Sequence, residues 1–501
     1  MKKRLSMLLA ALLCAALMMT DVSLAEDDDY TTITVFCANS AAMPMTPELT
    51  AIQALGERTK TKFEFVVSPT TGTAEKFNLM MASGDIPDMV LYVQDPILKY
   101  TKAFEPLNDL IAEYCPNYER YLDEMPSVRK AITAVDGNIY TIQSISPLKF
   151  ANAFIVRQDW LDKLGLDVPT TLDEYYEVLK AFKEQDPNGN GEADEIPLLS
   201  PSLRRADAES PGLSIFAASF GIDEDFYLSD DGNEILFGAT DPRMKEVLTY
   251  LNKLYSEGLI DPEYLTRDWA SVQGLQAEEK AGMWIDWGIG VDSTVIENPE
   301  SNLQVILPPA GEDGVVRIYS QMPQVRTNAM AISKSSPHKE HIMSIFNYIF
   351  SDEGYMLMNY GVEGVTYTME DGEPVYTAAI LEDGTSPLAA LRKHGINTWF
   401  PLYQAKGFEY ASEKFIGAVE SYEQHIIAPV PPLKFTDEER STITSLYQGE
   451  IKTYLDESLD GFITGKVSLD TFDSFVETLN KMGLPDILQI YNDALTRYNA
   501  S

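Results

Sequence analysis

The sequence predicts an α/β protein with a helical C-terminus. Three observations predict it: a β-α-β-α-β order over residues 31–92, a second series of strands and helices from about residue 150, and a nearly unbroken helical run from Thr436 to Asn499. Alternation of this kind implies parallel strands with helices on both faces. The 501 residues are enough for more than one domain.

The elements follow in order. Thr31–Phe36 reads as a strand of alternating β-branched residues. A helix from about Pro47 to Lys60 precedes a second strand, Lys62–Val67. Glu75–Ser83 is a helix closed by Gly84, and Asp88–Tyr92 is a third strand. Ligands of parallel sheets bind beyond the carboxyl ends of strands. Here those ends are the loop Cys37–Met45 and the segment Tyr92–Asp95. Farther on, Asp159–Leu164 is helical, and Thr170 and Thr171 cap a helix that runs through Lys183. Ala281–Trp287 and Gln324–Ser333 read as strands, and Ser336-Pro-His338 opens a long helix to Phe350. Three helices close the chain: Thr436–Gly461, Ser468–Met482 and Leu484–Tyr498.

The stretch from Asp186 to Glu195 carries the sharpest chemical signal. Asp186, Asn188 and Asn190 are followed by Gly191, then by Asp194 and Glu195. Calcium takes about six to eight oxygen ligands, and a loop supplies them when alternate side chains converge around a sharp glycine turn. The first half has the spacing of a helix–loop–helix calcium loop. The second half departs from it: Pro197 stands where the bidentate glutamate belongs, and Asp194 and Glu195 bring the carboxylates in early. The expected ligand set is therefore Asp186, Asn188, Asn190, Asp194 and Glu195, with the backbone carbonyl of Glu192. The alternative is a metal-free Asx/Gly turn.

Lys2, Lys3 and Arg4, an apolar run from Leu5 to about Met19 and the small residues at Ser23–Ala25 read as a secretion signal, so the mature chain is expected to start near Glu26. Leu13 precedes Cys14 where a lipid-attachment site wants a small residue, so no lipid anchor is expected. Net charge is −39, which argues against nucleic acid and polyanionic ligands. Cys37 and Cys115 remain after cleavage, either as one disulfide or as two buried thiols.

Catalytic signals are weak. His338 and His341 are one helical turn apart but lack the partners of a zinc set, and read as a solvated helix start. There is no G-x-S-x-G elbow and no phosphate loop. Gly288-Ile-Gly290 lacks the third glycine and acidic partner of a dinucleotide site. With 77 carboxylates, no acid pair for glycoside hydrolysis stands out.

Several stretches in sequence order resemble the extracellular solute-binding proteins that deliver sugars to ABC importers. They are Ala82–Asp88 (ASGDIPD), Val135–Tyr140 (VDGNIY), Val156–Gly165 (VRQDWLDKLG), Lys280–Met283, and the closing Asp456–Gly465 and Ser468–Leu479, where Phe472 replaces a usual tryptophan. The loop at Asp186 is similar to the calcium loop of the alginate-binding members and a lipoprotein subgroup. The resemblance implies a periplasmic-binding-protein-like fold, with two α/β lobes joined by hinge strands around a ligand cleft. Crossings are expected near Ser146–Phe150, Met322–Gln324 and Val365–Tyr367. That division gives a signal at 1–25, a first lobe of 26–148 and 324–366, and a second of 149–323 and 367–501.

A sugar site needs aromatic planes for C–H faces and polar groups for the hydroxyls. Four of the five tryptophans fall where a cleft is implied: Trp269, Trp284, Trp287 and Trp399. Trp160 reads as core. Tyr92 and Asp95 match the place of an aromatic platform and a hydroxyl-binding carboxylate in maltose-binding relatives. The expected function is capture of a neutral oligosaccharide outside the cytoplasmic membrane, with no catalysis, and delivery to an ABC transporter permease by a monomer carrying structural calcium. The competing expectations are a secreted glycoside hydrolase and a surface adhesion module.

Overall fold

The computed structural model describes residues 30–146, 152–200, 214–267, 269–287, 302–319, 324–385, 387–404 and 413–500. The expected signal at 1–25 and Cys14 lie outside them.

The first lobe is built on β1 (Thr31–Asn39), β2 (Thr61–Pro69), β3 (Met89–Val93), β4 (Ile142–Ile145) and, from far later in the chain, a strand Val325–Ile332. The order is β2, β1, β3, Val325–Ile332, β4. β1 pairs in parallel with both β2 and β3, as the alternating pattern requires, and the late strand runs antiparallel to its neighbours. Period-two alternation splits β1 between two cores: Ile33, Val35 and Cys37 enter one, Phe36 the other. The helix Thr50–Thr59 buries Ala51, Ile52 and Leu55. It ends at Lys60, which takes the left-handed conformation (φ 54°) and lets β2 start at once. Gly56 is required beneath that turn, since a Cβ there would lie 2.6 Å from the Thr61 carbonyl oxygen.

Several of the motifs that carry the family resemblance serve this framework. Asp88 accepts from the Thr34 backbone N–H (3.1 Å) and hydroxyl (2.6 Å) and from Ser336 (2.7 Å), which ties β1 to β3 and to the segment ahead of the helix Lys339–Ile349. Burial opposes its ionisation, but these hydrogen bonds outweigh it and leave the carboxyl below its usual range. Asp136 closes the turn at Gly137 by accepting from Asn138 N–H (3.0 Å) and the Tyr140 hydroxyl (2.7 Å).

The second lobe contains β5 (Asn152–Arg157), β6 (Ile196–Leu199), a small hairpin of β7 (Phe226–Leu228) and β8 (Ile235–Phe237), β9 (Ala281–Trp287) and β10 (Leu303–Ile306). Its main sheet has the order β10, β5, β9, β6. Gln158–Leu164 is helical and Trp160 is fully buried, as expected. Arg157 grips Asp159 through Nε (3.0 Å) and Nη2 (2.5 Å) and so orients that helix. Thr171 and Glu174 form a reciprocal capping box at the start of the helix Leu172–Glu184.

The late strand of the first sheet is β11 (Val325–Ile332). From it the chain continues through Lys339–Ile349 and Asp352–Asn359 to the hairpin of β12 (Tyr367–Glu370) and β13 (Glu373–Tyr376). Tyr367, Tyr376, Ile380, Leu391, Phe400 and Leu402 all join the first lobe's core. The crossing expected at Val365–Tyr367 is therefore misplaced: the residues after it pack on the first lobe as far as Gln404, whose N–H donates to the Ile145 carbonyl (2.9 Å). The helix Glu413–Glu423 then packs on the second lobe through Tyr422, whose hydroxyl donates to the Ile306 carbonyl. The expected helix Thr436–Gly461 is continuous from Asp437 to Ile463, with a π-helical stretch at Ile443–Ile451, and Phe472–Lys481 and Leu484–Ala500 close the second core.

Cys37 and Cys115 are both buried and free. His341 is half-buried rather than freely solvated: its Nε2 lies 2.9 Å from the Thr61 hydroxyl, and burial, then His338, lowers its pKa.

Candidate ligand cleft and calcium loop

The passages between lobes converge on one corner of the first sheet. β4 ends at Ile145, opposite Val325 at the start of β11, and Tyr403 bridges Ile145 in parallel. The Ser146 N–H donates to the Gln324 carbonyl at 2.9 Å. On the second lobe, Asn152 opens β5 directly opposite Trp287, the last residue of β9, and β10 ends opposite Phe154 on the same side. The first passage therefore leaves one sheet at the carboxyl end of β4 and joins the other beside the carboxyl end of β9. These are the ends where α/β sheets take ligands.

Trp287 thus stands at the crossing end of the second sheet. Trp269 opens the helix Trp269–Ala277, which leads to Lys280 at the amino end of β9. Because Ile260 bridges Leu198 near the carboxyl end of β6, that helix starts at the crossing end too. Asp95 lies just past β3, in the short helix Gln94–Leu98. Tyr92 is half-buried, its ring packed on Phe77 (centroids 4.9 Å apart) and edge-on to Phe36 (6.3 Å), and burial pushes its hydroxyl pKa up.

Two expected ligand residues are placed otherwise. Trp284 is only 2% exposed and packs among Ala153, Ile155, Leu199, Leu303 and Tyr422, so its ring has no free face. Alternation along β9 explains it: Trp284 faces the second core layer, two residues before Asp286, which is also buried. Trp399 packs against the first lobe's core, with its indole N–H shut off from water and without a hydrogen-bond partner.

The loop after the helix Leu172–Glu184 lies at the amino end of β6, away from the crossings. Asp186 (φ 49°), Gly189 (φ 77°) and Gly191 (φ 78°) turn the backbone. Asp186 accepts from Gly189 N–H (2.8 Å) and Gly191 N–H (3.1 Å), and the Asn188 and Asn190 side-chain oxygens accept from Asn190 N–H (3.0 Å) and Glu192 N–H (2.7 Å). The amide groups of Asn190 and Asn188 donate to Asp194 Oδ1 (3.0 and 3.3 Å), and with Lys280 they lower the Asp194 pKa. Glu195 differs. Its Oε1 is shut off from solvent with no partner, and burial, then Asp186 and Asp194, push its carboxyl pKa up.

Among the described residues, no three His, Cys, Asp or Glu side chains gather closely enough to hold a metal alone. A calcium ion here would draw on the Asn188 and Asn190 amides and the Glu192 carbonyl as well. The unpartnered Glu195 oxygen, which feels the charges of Asp186 and Asp194, would be relieved by a hard cation. Calcium would neutralise that charge and fasten the helix end to β6. Two cations that sequence spacing does not reveal also reach the loop. Lys163 donates to the Pro187 (2.8 Å) and Asp186 (3.4 Å) carbonyls, and Lys280 lies 3.4 Å from Asp194 Oδ2.

Two lobes with crossings at the carboxyl ends of their sheets are the architecture of a solute-binding protein. Residues 44–356 match the family model of the bacterial extracellular solute-binding proteins, and the chain belongs to that family. Lipoprotein LipO of Bacillus subtilis is 26% identical over 503 residues, covering 98% of this chain and 97% of LipO. The fructooligosaccharide ABC transporter substrate-binding protein FusA of Streptococcus pneumoniae is 32% identical over 320 residues. That match covers 60% of this chain and spans 56% of FusA's length. A structure of a FusA EF-hand mutant in complex with fructo-nystose shares the fold, with a TM-score of 0.79 at 24% identity over 94% of this chain and all of that one. The crystal structure of alginate-binding protein AlgQ2 without calcium ion matches with a TM-score of 0.79 and 25% identity, covering 95% of this chain and all of AlgQ2. Among the described residues, no helix is long and apolar enough to cross a membrane.

Proposed function

We propose that this protein captures a neutral oligosaccharide between its lobes, outside the cytoplasmic membrane, and passes it to an ABC transporter permease without chemical change. The observation that supports this reading is the meeting of Ile145, Val325 and Tyr403 at the carboxyl end of β4, with Asn152 opposite Trp287 at the carboxyl end of β9. Family membership supplies the transport role, and the sugar named for FusA supplies the ligand class. Trp287 and Trp269 offer stacking planes from the second lobe, while Tyr92 and Asp95 supply an aromatic edge and a hydroxyl acceptor from the first. Trp399 contributes only if its indole N–H turns to the ligand. The net charge of −39 favours neutral sugars over uronates. A calcium ion held by Asp186, Asn188, Asn190, Glu192, Asp194 and Glu195 is structural in this reading, and the chain works as a monomer.

The test is a thermal-shift screen against neutral and uronate oligosaccharides, with product analysis of every hit. Stabilisation by a neutral oligosaccharide that is recovered intact is the expected result. No binder across the set, or turnover of the glycan, overturns the reading.

A further inference from the structure

We propose that Lys280 is the calcium loop's internal counter-ion, and that calcium binds by exchange, taking Asp194 from the Lys280 ammonium. This rests on the calcium reading above.

Lys280 is held by the sheet, not by a loose tail. Its carbonyl accepts from Ile196 N–H (2.8 Å) and its N–H donates to the Leu275 carbonyl (3.0 Å). The residue before it, Glu279, takes the left-handed conformation at φ 58°, which turns the chain from the helix Trp269–Ala277 into β9. The ammonium is thus delivered between two carboxylates, 3.4 Å from Asp194 Oδ2 and 3.0 Å from Glu278 Oε2. Only Asp194 belongs to the ligand set. Glu278 already holds the ammonium as its nearer partner, so when a divalent ion claims Asp194, Lys280 keeps a counter-ion without leaving its place.

The neighbouring carboxylate shows what the loop lacks. Glu195 Oε1 is closed off from water and unpartnered, while Asp194 has both amides and Lys280. The Lys280 ammonium satisfies one of the two carboxylates and leaves the Glu195 Oε1 unpartnered. A divalent ion between them satisfies both. Lys163 plays a different part. It donates to backbone carbonyls of Asp186 and Pro187 and touches no carboxylate of the set, so calcium has no reason to displace it.

The experiment measures calcium affinity and melting temperature for the purified wild-type protein, Lys280→Gln, Glu278→Gln and Lys163→Gln, in chelator and in calcium at low and high salt. Lys280→Gln is expected to melt lower in chelator and to bind calcium about threefold to tenfold more tightly at low salt, with the gain shrinking at high salt. Glu278→Gln is expected to bind calcium more weakly, because it strengthens the hold of Lys280 on Asp194. Lys163→Gln is expected to show no gain in affinity. If the wild type binds calcium and Lys280→Gln binds it no better, the exchange is overturned while the calcium site stands. If the wild type shows no calcium response, the calcium reading falls and the exchange falls with it.

Discussion

The ammonium of Lys130 lies 3.6 Å from the centre of the Tyr498 ring and donates to the Tyr498 carbonyl at 2.5 Å. Lys130 belongs to the first lobe, on the short helix Pro126–Ile132, and Tyr498 to the last helix of the second. The cation meets both an aromatic face and the negative end of a 17-residue helix. Nearby, Ser127 donates to the side-chain oxygen of Gln324 at 2.9 Å, beside the crossing into β11. The same short helix therefore touches a crossing and the far lobe.

Lys130→Met keeps most of the apolar stem and removes the charge. It is expected to destabilise the protein by about 0.5–1 kcal/mol, the low end for a cation on an aromatic face, since both groups are partly exposed. Tyr498→Phe keeps the ring and the carbonyl and is expected to cost less than Tyr498→Ala. Urea unfolding of the three variants checks the order, and equal losses for Phe and Ala at 498 would discard the ring contact.

Much of this fold is legible in the sequence because periodicity and caps act locally. β1, β2, β3 and β9 fall where alternation places them, and Thr171 and Gly84 mark helix ends by their own chemistry. The segments that carry the family resemblance are legible for a different reason. Asp88, Asp136 and Arg157 fasten turns and strand ends, so they identify the scaffold and say little about the ligand. The third crossing is not legible. Residues 367–404 join the first core through scattered contacts such as Phe400 against Phe63, with no periodic signal to show which lobe they cover. Nor can spacing show Lys280 at Asp194, because a strand pairing brings them together.

The calcium loop should respond to both chelator and pH. At about a hundredfold excess over its dissociation constant, calcium is expected to add about 2.7 kcal/mol, or roughly 2–3 °C in melting temperature for a chain of this size. Asp186→Ala should abolish the shift. Glu195 has a raised carboxyl pKa in the metal-free fold, so its contribution is present at acid pH and is lost as pH rises through and above its ordinary value of 4.5. Calcium needs the ionised form, so the metal's stabilisation should grow over the same interval. Melting curves in chelator and in calcium, taken from acid to neutral pH, give both trends; a calcium shift that shrinks as pH rises would contradict the assignment of Glu195.

The two thiols should be inert in the native state. Burial pushes Cys37 and Cys115 up to about 12, so at pH 8 only about one in ten thousand of either is thiolate. A disulfide-exchange reagent is expected to label neither in the folded mature protein and both in denaturant. Fast labelling of one thiol under native conditions would place it outside the core.

Trp284 and Trp287 lie three residues apart on one strand, and their substitutions should separate stability from binding. Trp284 fills the layer between the second sheet and the helix Glu413–Glu423, so Trp284→Ala is expected to cost about 3–5 kcal/mol and to lower the unfolding midpoint sharply. Any affinity it loses should return when the residual folded fraction is taken into account. Trp287 closes β9 opposite Asn152, at the end where the chain crosses between lobes. Trp287→Ala is expected to leave the unfolding midpoint nearly unchanged and to weaken oligosaccharide binding by about tenfold to a hundredfold, the loss of one ring stacked on a sugar. Titration of the intrinsic fluorescence of each variant with a sugar identified in the screen, beside its urea curve, distinguishes the two roles. A Trp287→Ala protein that folds and binds as the wild type does would remove the strand end from the site and shift the stacking role to Trp269.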